Sequence, residues 1–150
     1  MTLESVDEKM YEFDNRIKKI CDLLVKYDLT PNQSKMYLYL SKIDDAKTAL
    51  EISKSLRIPR TETYHILNNL EQKGIVFSVF GKPKKFTAIR IDQSIKILLD
   101  NEKNRIIRLE LEKGNMIELW NRIPNNFMSM KKLNDDKFQT SLEKNPIYKN

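Results

Sequence analysis

The sequence predicts a mainly α-helical protein with one small β-hairpin. Three observations support this fold class. Apolar residues recur three and four positions apart over most of the chain, which is the spacing of amphipathic helices. Thr followed three residues later by Glu or Gln, at residues 48–51 and 30–33, marks two helix starts. From residue 75 to residue 90 the pattern changes to short alternating runs around GKPKK at 81–85, which is typical of two strands and a turn.

Residues 1–27 are predicted to form an N-terminal amphipathic helix. Its apolar residues alternate four and three positions apart and form a heptad stripe: Val6, Met10, Phe13, Ile17, Ile20, Leu24 and Tyr27. One such helix is not stable alone in water, so the stripe needs a partner. Cys21 lies beside it and is interpreted as a small packed residue rather than a reactive thiol.

Residues 28–91 contain three further helix signatures and the hairpin. The first helix follows Thr30-Pro31, and its buried face holds Met36, Tyr37, Leu40 and Ile43. The second starts at the Thr48 capping box, and residues 55–58 form the turn to a third helix at about 59–73, which Gly74 ends. Three helices followed by a hairpin with a lysine-rich tip is the layout of a winged helix-turn-helix domain.

The third helix has an unusual polar face. Opposite its apolar stripe, the helical spacing collects hydrogen-bonding side chains of which none is acidic: Thr61, His65, Asn68 and Gln72, with Tyr64 on the flank. Neutral donors and acceptors of this kind suit a helix that lies in the major groove of double-stranded DNA and reads base edges.

Eight residues are therefore predicted to contact DNA. Arg60 and the start of its helix would meet phosphate, while Thr61, Tyr64, His65 and Asn68 would reach base edges or nearby backbone. The wing at about 81–85 would place three lysines against flanking DNA: Lys82, Lys84 and Lys85. The alternative is a winged helix that serves as a protein-interaction module within a larger complex. Such a module has no need of three lysines in its wing.

The charge distribution also favours a polyanionic partner. The chain has a net charge of +6, and residues 28–91 hold eleven basic and six acidic residues. The segments on either side are close to neutral, so the positive charge is concentrated on the predicted DNA-binding segment.

The same segment resembles a known family. The runs LTPNQSKMYLYLSK and TALEISKSLRIPRTETYHILNNLEQKGIV resemble the DNA-binding domain of archaeal TrmB-type transcriptional regulators over roughly residues 25–90. The family motif I-P-R-(S/T)-x-x-Y-x-x-L-x-x-L-x-x-x-G is present from Ile58 to Gly74, whereas Gln33 stands where the family has Glu. The resemblance implies a winged helix that binds promoter DNA as a dimer. Full-length members carry a sugar-binding domain after the wing; this chain is too short for one, so sugar sensing does not carry over.

Residues 92–124 are predicted to form a long C-terminal helix that ends at Pro124. Its stripe again alternates three and four positions apart and contains two charged residues: Leu99, Glu102, Ile106, Leu109, Lys113, Met116, Trp120 and Ile123. Two striped helices around a DNA-binding domain indicate a homodimer. The predicted dimer contacts are Phe13, Ile17, Ile20, Leu24, Leu99, Ile106, Leu109, Met116 and Trp120. The alternative is that the two helices pack on each other within one subunit.

Residues 125–150 are interpreted as a polar, flexible tail with at most one short helix. A single histidine, a single cysteine and three scattered glycines provide no zinc site, no Cys/His or Ser/His/Asp site and no phosphate-binding loop. We therefore expect neither an enzyme nor a cofactor, and the sequence identifies no small-molecule effector. It has no apolar run long enough for a membrane span and no signal peptide, so a cytoplasmic location is expected.

Overall fold

The computed structural model describes residues 3–144 and is a winged helix-turn-helix domain flanked by N- and C-terminal helices. The described residues contain six helices: α1 (Leu3–Val25), α2 (Pro31–Lys42), α3 (Ala49–Leu56), α4 (Arg60–Gln72), α5 (Ile91–Asn121) and α6 (Phe127–Glu143). Three strands form one antiparallel sheet of order β1-β3-β2: β1 (Lys47–Thr48), β2 (Val76–Val79) and β3 (Lys85–Ala88). The mainly α fold class with a small wing is confirmed.

The predicted capping boxes define the starts of α2 and α3. The Thr30 and Thr48 side chains accept hydrogen bonds from the backbone N–H groups of Gln33 and Glu51, and both partners reach back to the N-cap backbone. The hydrogen bond from the Thr48 N–H lowers the pKa of the Glu51 carboxyl. Both helix starts therefore satisfy N–H groups that would otherwise lack partners.

The helix-turn-helix bend is fixed by local hydrogen bonds. Arg57 ends α3 in the left-handed conformation (φ 54°), and the Ile58 N–H donates to the Ser53 carbonyl at 3.1 Å. The Ser53 hydroxyl donates to the Ile58 carbonyl at 2.6 Å. The helix was predicted to start at about residue 59; Pro59 is instead the N-cap of α4, whose first helical residue is Arg60, and Gly74 follows the helix with φ +83°.

The core of the domain lies among α1, α2, α3, α4 and the sheet. Its fully buried members include Met36, Tyr37, Ile52, Leu67 and Ile75. The Tyr37 hydroxyl donates to the Ile89 carbonyl at 2.7 Å, which ties α2 to the segment after the wing. Burial raises the pKa of this phenol further above neutral.

Removing a buried side chain from α4 should destabilise the domain. We expect Leu67→Ala to lower the free energy of unfolding by about 2–5 kcal/mol, because Leu67 is fully buried. Leu50→Ala, at a position that is 44% exposed, is the control and should cost much less. Chemical denaturation would measure both, and equal losses would contradict this core.

Two predictions about the flanking regions need correction. Leu24, predicted to contact a second subunit, is only 2% exposed and belongs to the core of its own domain, because the end of α1 packs on α2. Residues 127–143 form α6, a longer helix than the tail prediction allowed, since no proline or glycine interrupts them.

The boundary between two compact units falls inside α5, between Arg105 and Ile106. In the first unit, the Asn101 amide donates to the Lys73 carbonyl at 2.9 Å, and Lys73 pairs with Asp28 at 3.1 Å. These contacts attach the start of α5 and the end of α4 to the α1–α2 junction. In the second unit, nearly all described side chains of α5 and α6 are exposed.

Candidate nucleic-acid interface

The polar face of α4 is directed to solvent. The five residues that the sequence placed there are exposed: Thr61, Tyr64, His65, Asn68 and Gln72. Ile66, Leu67 and Leu70 on the opposite side are buried in the core. Thr63 is also buried, and its hydroxyl donates to the Pro59 carbonyl at 3.0 Å. The apolar face of α4 thus packs in the core, and its polar face is exposed and available to bind another molecule.

Charge at the start of α4 is favourable for an anion. Arg60 is exposed, and its guanidinium carbon lies 5.8 Å from the centroid of the Tyr64 ring. Glu62 is the acidic residue in this first turn, and its carboxylate accepts a hydrogen bond from the Asn32 amide at 2.9 Å. That bond turns Glu62 toward α2 and leaves Arg60 as the charged group beside the exposed face.

His65 borders a shallow cleft between α4 and the start of α2. Asn32, Glu62 and Asn69 line the same cleft. A ligand that approaches the centre of the α4 face would therefore meet Thr61, Tyr64 and Asn68, and His65 would contact it at the edge.

The three lysines of the wing differ in their surroundings. The Lys84 ammonium lies 3.7 Å from the Glu71 carboxylate and 5.2 Å from the centroid of the Phe86 ring, so it has partners within the domain, although its side chain is 54% exposed. Lys85 is exposed on β3, opposite Thr48 of β1, and Lys82 is exposed in the turn. Lys82 and Lys85 are the lysines best placed for an external anion.

Two candidate contacts were missed by the sequence analysis. Arg57 is exposed in the bend that precedes α4, and Phe80 is fully exposed at the tip of the wing beside the lysines. A basic residue next to the family-like Ile58-Pro59-Arg60 run could have indicated Arg57. The sequence pattern gave no signal for Phe80, because strand alternation does not say whether an end residue is covered.

The remaining chemistry of the described chain is sparse. Residues 3–144 contain no cluster of three His, Cys, Asp or Glu side chains that could hold a metal ion. Burial raises the pKa of the Cys21 thiol, which disfavours its reactive thiolate. Within the same range, no helix is long and apolar enough to cross a membrane.

The predicted dimer residues occupy exposed helix faces, apart from Leu24. Large apolar side chains are at least one-third exposed at the following positions: Phe13, Ile17 and Ile20 on α1, and Leu99, Ile106, Leu109, Met116 and Trp120 on α5. Large apolar side chains exposed in such numbers are typical of surfaces that bind another molecule.

The fold and this surface define a winged helix-turn-helix domain, a class common among transcription regulators. Residues 23–92 match the family model described as "Sugar-specific transcriptional regulator TrmB".

Two curated proteins are similar to part of this chain. The HTH-type sugar sensing transcriptional regulator TrmBL1 of Pyrococcus furiosus is 30% identical over 93 residues, which are 62% of this chain and 27% of that protein. The uncharacterized protein MJ1623 of Methanocaldococcus jannaschii is 36% identical over 74 residues, which are 46% of this chain and 14% of that protein. The chain thus spans less than a third of the length of the curated relatives it matches.

A solved structure shows the same fold. That of TrmBL2, described as an archaeal chromatin protein with a novel mode of DNA binding, aligns with a TM-score of 0.58 and 22% identity. The alignment covers 71% of this chain and 43% of TrmBL2.

Proposed function

We propose that the protein is a sequence-specific transcriptional regulator that binds double-stranded DNA as a homodimer. Residues 28–91 are the DNA-binding domain, and the helices within 1–27 and 92–124 join two copies. The observation that carries the proposal is the exposed face of α4, which is polar, lacks a free carboxylate at its centre and is bordered by Arg57, Arg60 and the wing.

The division of roles follows from the chemistry of each side chain. Asn68 has both a donor and an acceptor and matches the edge of adenine in the major groove. Arg60 is suited to phosphate at the start of α4, where the helix dipole adds positive potential. Lys82 and Lys85 bind flanking backbone without reading bases, because an ammonium offers charge but no planar pattern of hydrogen bonds.

The basis of dimerisation is the apolar surface of α1 and α5. Burial of one Leu, Ile or Phe side chain stabilises an interface by about 1.5–3 kcal/mol. Two copies are also what a two-fold symmetric operator requires. The alternative of a protein-docking module receives no support from the similar proteins, since the matched family model is one of transcription regulators.

Substitutions should separate base reading from charge. We expect Asn68→Ala to reduce the preference for the specific site by about 1–3 kcal/mol while leaving affinity for random DNA unchanged, because one bidentate base contact is lost. Fluorescence anisotropy with the specific site and with random DNA of equal length would measure this. Asn104→Ala, an exposed amide on α5 outside the proposed surface, is the matched control.

The wing lysines should behave differently. Lys82→Ala with Lys85→Ala should weaken binding to specific and random DNA by the same factor, since phosphate contacts are independent of sequence. Lys18→Ala with Lys19→Ala removes the same charge from α1, away from this surface, and should have a smaller effect. If Asn68→Ala and the lysine pair changed specific and random binding alike, the assignment of roles would be wrong.

A further inference from the structure

The apolar stripe of α5 is interrupted by two opposite charges. Glu102 and Lys113 occupy stripe positions between the exposed apolar residues Leu99, Ile106 and Met116. They are eleven residues apart on one helix, roughly 16 Å, and cannot contact each other within one chain. Glu102 instead accepts a hydrogen bond from Arg105, one turn away, at 3.0 Å. A charge in such a stripe weakens pairing unless an opposite charge faces it.

Glu102 and Lys113 face different partner residues in a parallel and in an antiparallel pair of α5 helices. In a parallel, in-register pair, each residue faces its own copy, so Glu102 meets a carboxylate and Lys113 meets an ammonium. In an antiparallel pair, the two-fold axis can pass between residues 107 and 108. Glu102 then faces the partner's Lys113, and the symmetry produces the same contact a second time. The apolar layers match as well, because Ile106 then faces the partner's Leu109 and Leu99 faces the partner's Met116.

We propose that α5 pairs with the α5 of a second copy in the antiparallel orientation, with Glu102 opposite the partner's Lys113. The inference rests on the proposed homodimer and specifies how it is built. The molecule that covers the α5 stripe is a second copy of this chain. In the antiparallel orientation, each charged residue of the stripe faces the opposite charge on the other copy.

The residues beside the stripe support the same register. In an antiparallel pair the side chains on each flank face the same flank of the partner helix. With the crossing between 107 and 108, Lys103 faces the partner's Glu110, and Arg105 faces the partner's Glu112. All four positions are exposed.

Other registers lose these pairs. A shift of one heptad in one direction places Glu110 and Glu112 opposite their own copies. A shift in the other direction places Lys103 and Arg105 opposite theirs. Both shifts also place Glu102 and Lys113 against apolar residues. Of these three registers, only the first pairs the charged residues of the stripe and its two flanks with opposite charges.

Charge reversal tests the central contact. Glu102→Lys and Lys113→Glu, made singly, should each raise the dimer dissociation constant about tenfold or more, because like charges then face each other at two symmetric layers. The double variant Glu102→Lys/Lys113→Glu should return to within about threefold of the wild type, since the opposite pair is restored. In a parallel dimer the single variants exchange one like-charge layer for another, so unchanged constants would overturn the proposal.

Spin-label distances test the orientation without altering the stripe. In a Cys21→Ser background, labels at Asn104→Cys or Glu118→Cys lie on the exposed side of α5. At 1.5 Å per residue, the antiparallel register separates the two labels by about 10 Å along the axis at 104 and about 31 Å at 118. A dimer with equal distances at both positions would overturn the register and leave the proposed regulator intact. A protein that stays monomeric while it binds a specific site would overturn the dimer and this inference, but not the α4 interface.

Discussion

Binding of this protein to DNA should weaken by a factor of roughly 10³–10⁵ when salt rises from 50 to 200 mM. That range corresponds to about six to ten phosphate contacts in the complex, each of which releases condensed counterions. Arg57, Arg60, Lys82 and Lys85 on two subunits provide eight exposed basic side chains near the proposed surface. Fluorescence anisotropy over a salt series would give the slope of log affinity against log salt.

The slope can be tied to the wing. In the dimer, Lys82→Ala with Lys85→Ala removes four ammonium groups, so we expect the slope to become shallower by up to about four. Sedimentation at each salt concentration should accompany the series, because loss of the dimer would also lower affinity. A wild-type affinity that hardly changes with salt would contradict a phosphate-binding role for both α4 and the wing.

The parts of the fold that sequence predicted well are those set by local chemistry. The capping boxes at Thr30 and Thr48 and the left-handed Gly74 act within one turn of the backbone, so their signals are complete in a few residues. β1 was not predicted, because two residues have no detectable periodicity and Lys47 pairs with the distant Phe86.

The candidate site also combines features set by local sequence with features set by distant residues. Helical spacing alone identified the exposed face that contains Thr61 and Asn68. Whether a charge on that surface is available depends on neighbours far along the chain. Two features depend on such distant neighbours: the contact of Lys84 with Glu71, and the burial of Leu24 against α2. No sequence pattern near Lys84 or Leu24 predicts them.

Placing carboxylates in the α5 stripe should separate the dimer and leave the DNA-binding domain folded. Ile106 and Leu109 are 52% and 53% exposed and lie outside the core cluster. Ile106→Asp with Leu109→Asp removes four apolar side chains from the proposed interface, each worth about 1.5–3 kcal/mol, and adds four like charges. We expect a monomer at micromolar concentration by sedimentation, an unchanged helical circular dichroism spectrum and poor affinity for a full operator.

The helix provides a matched control for this result. Ile107 and Leu111 are also an exposed isoleucine and leucine, at 52% and 73%, but they lie beside the stripe rather than in it. Ile107→Asp with Leu111→Asp introduces the same chemistry on the same helix, so it should leave the dimer and operator binding largely intact. If the control separated the subunits as completely as the stripe pair, the interface would not follow the heptad positions. If the wild type sedimented as a monomer and still bound its site specifically, the exposed stripes would need a role within one subunit.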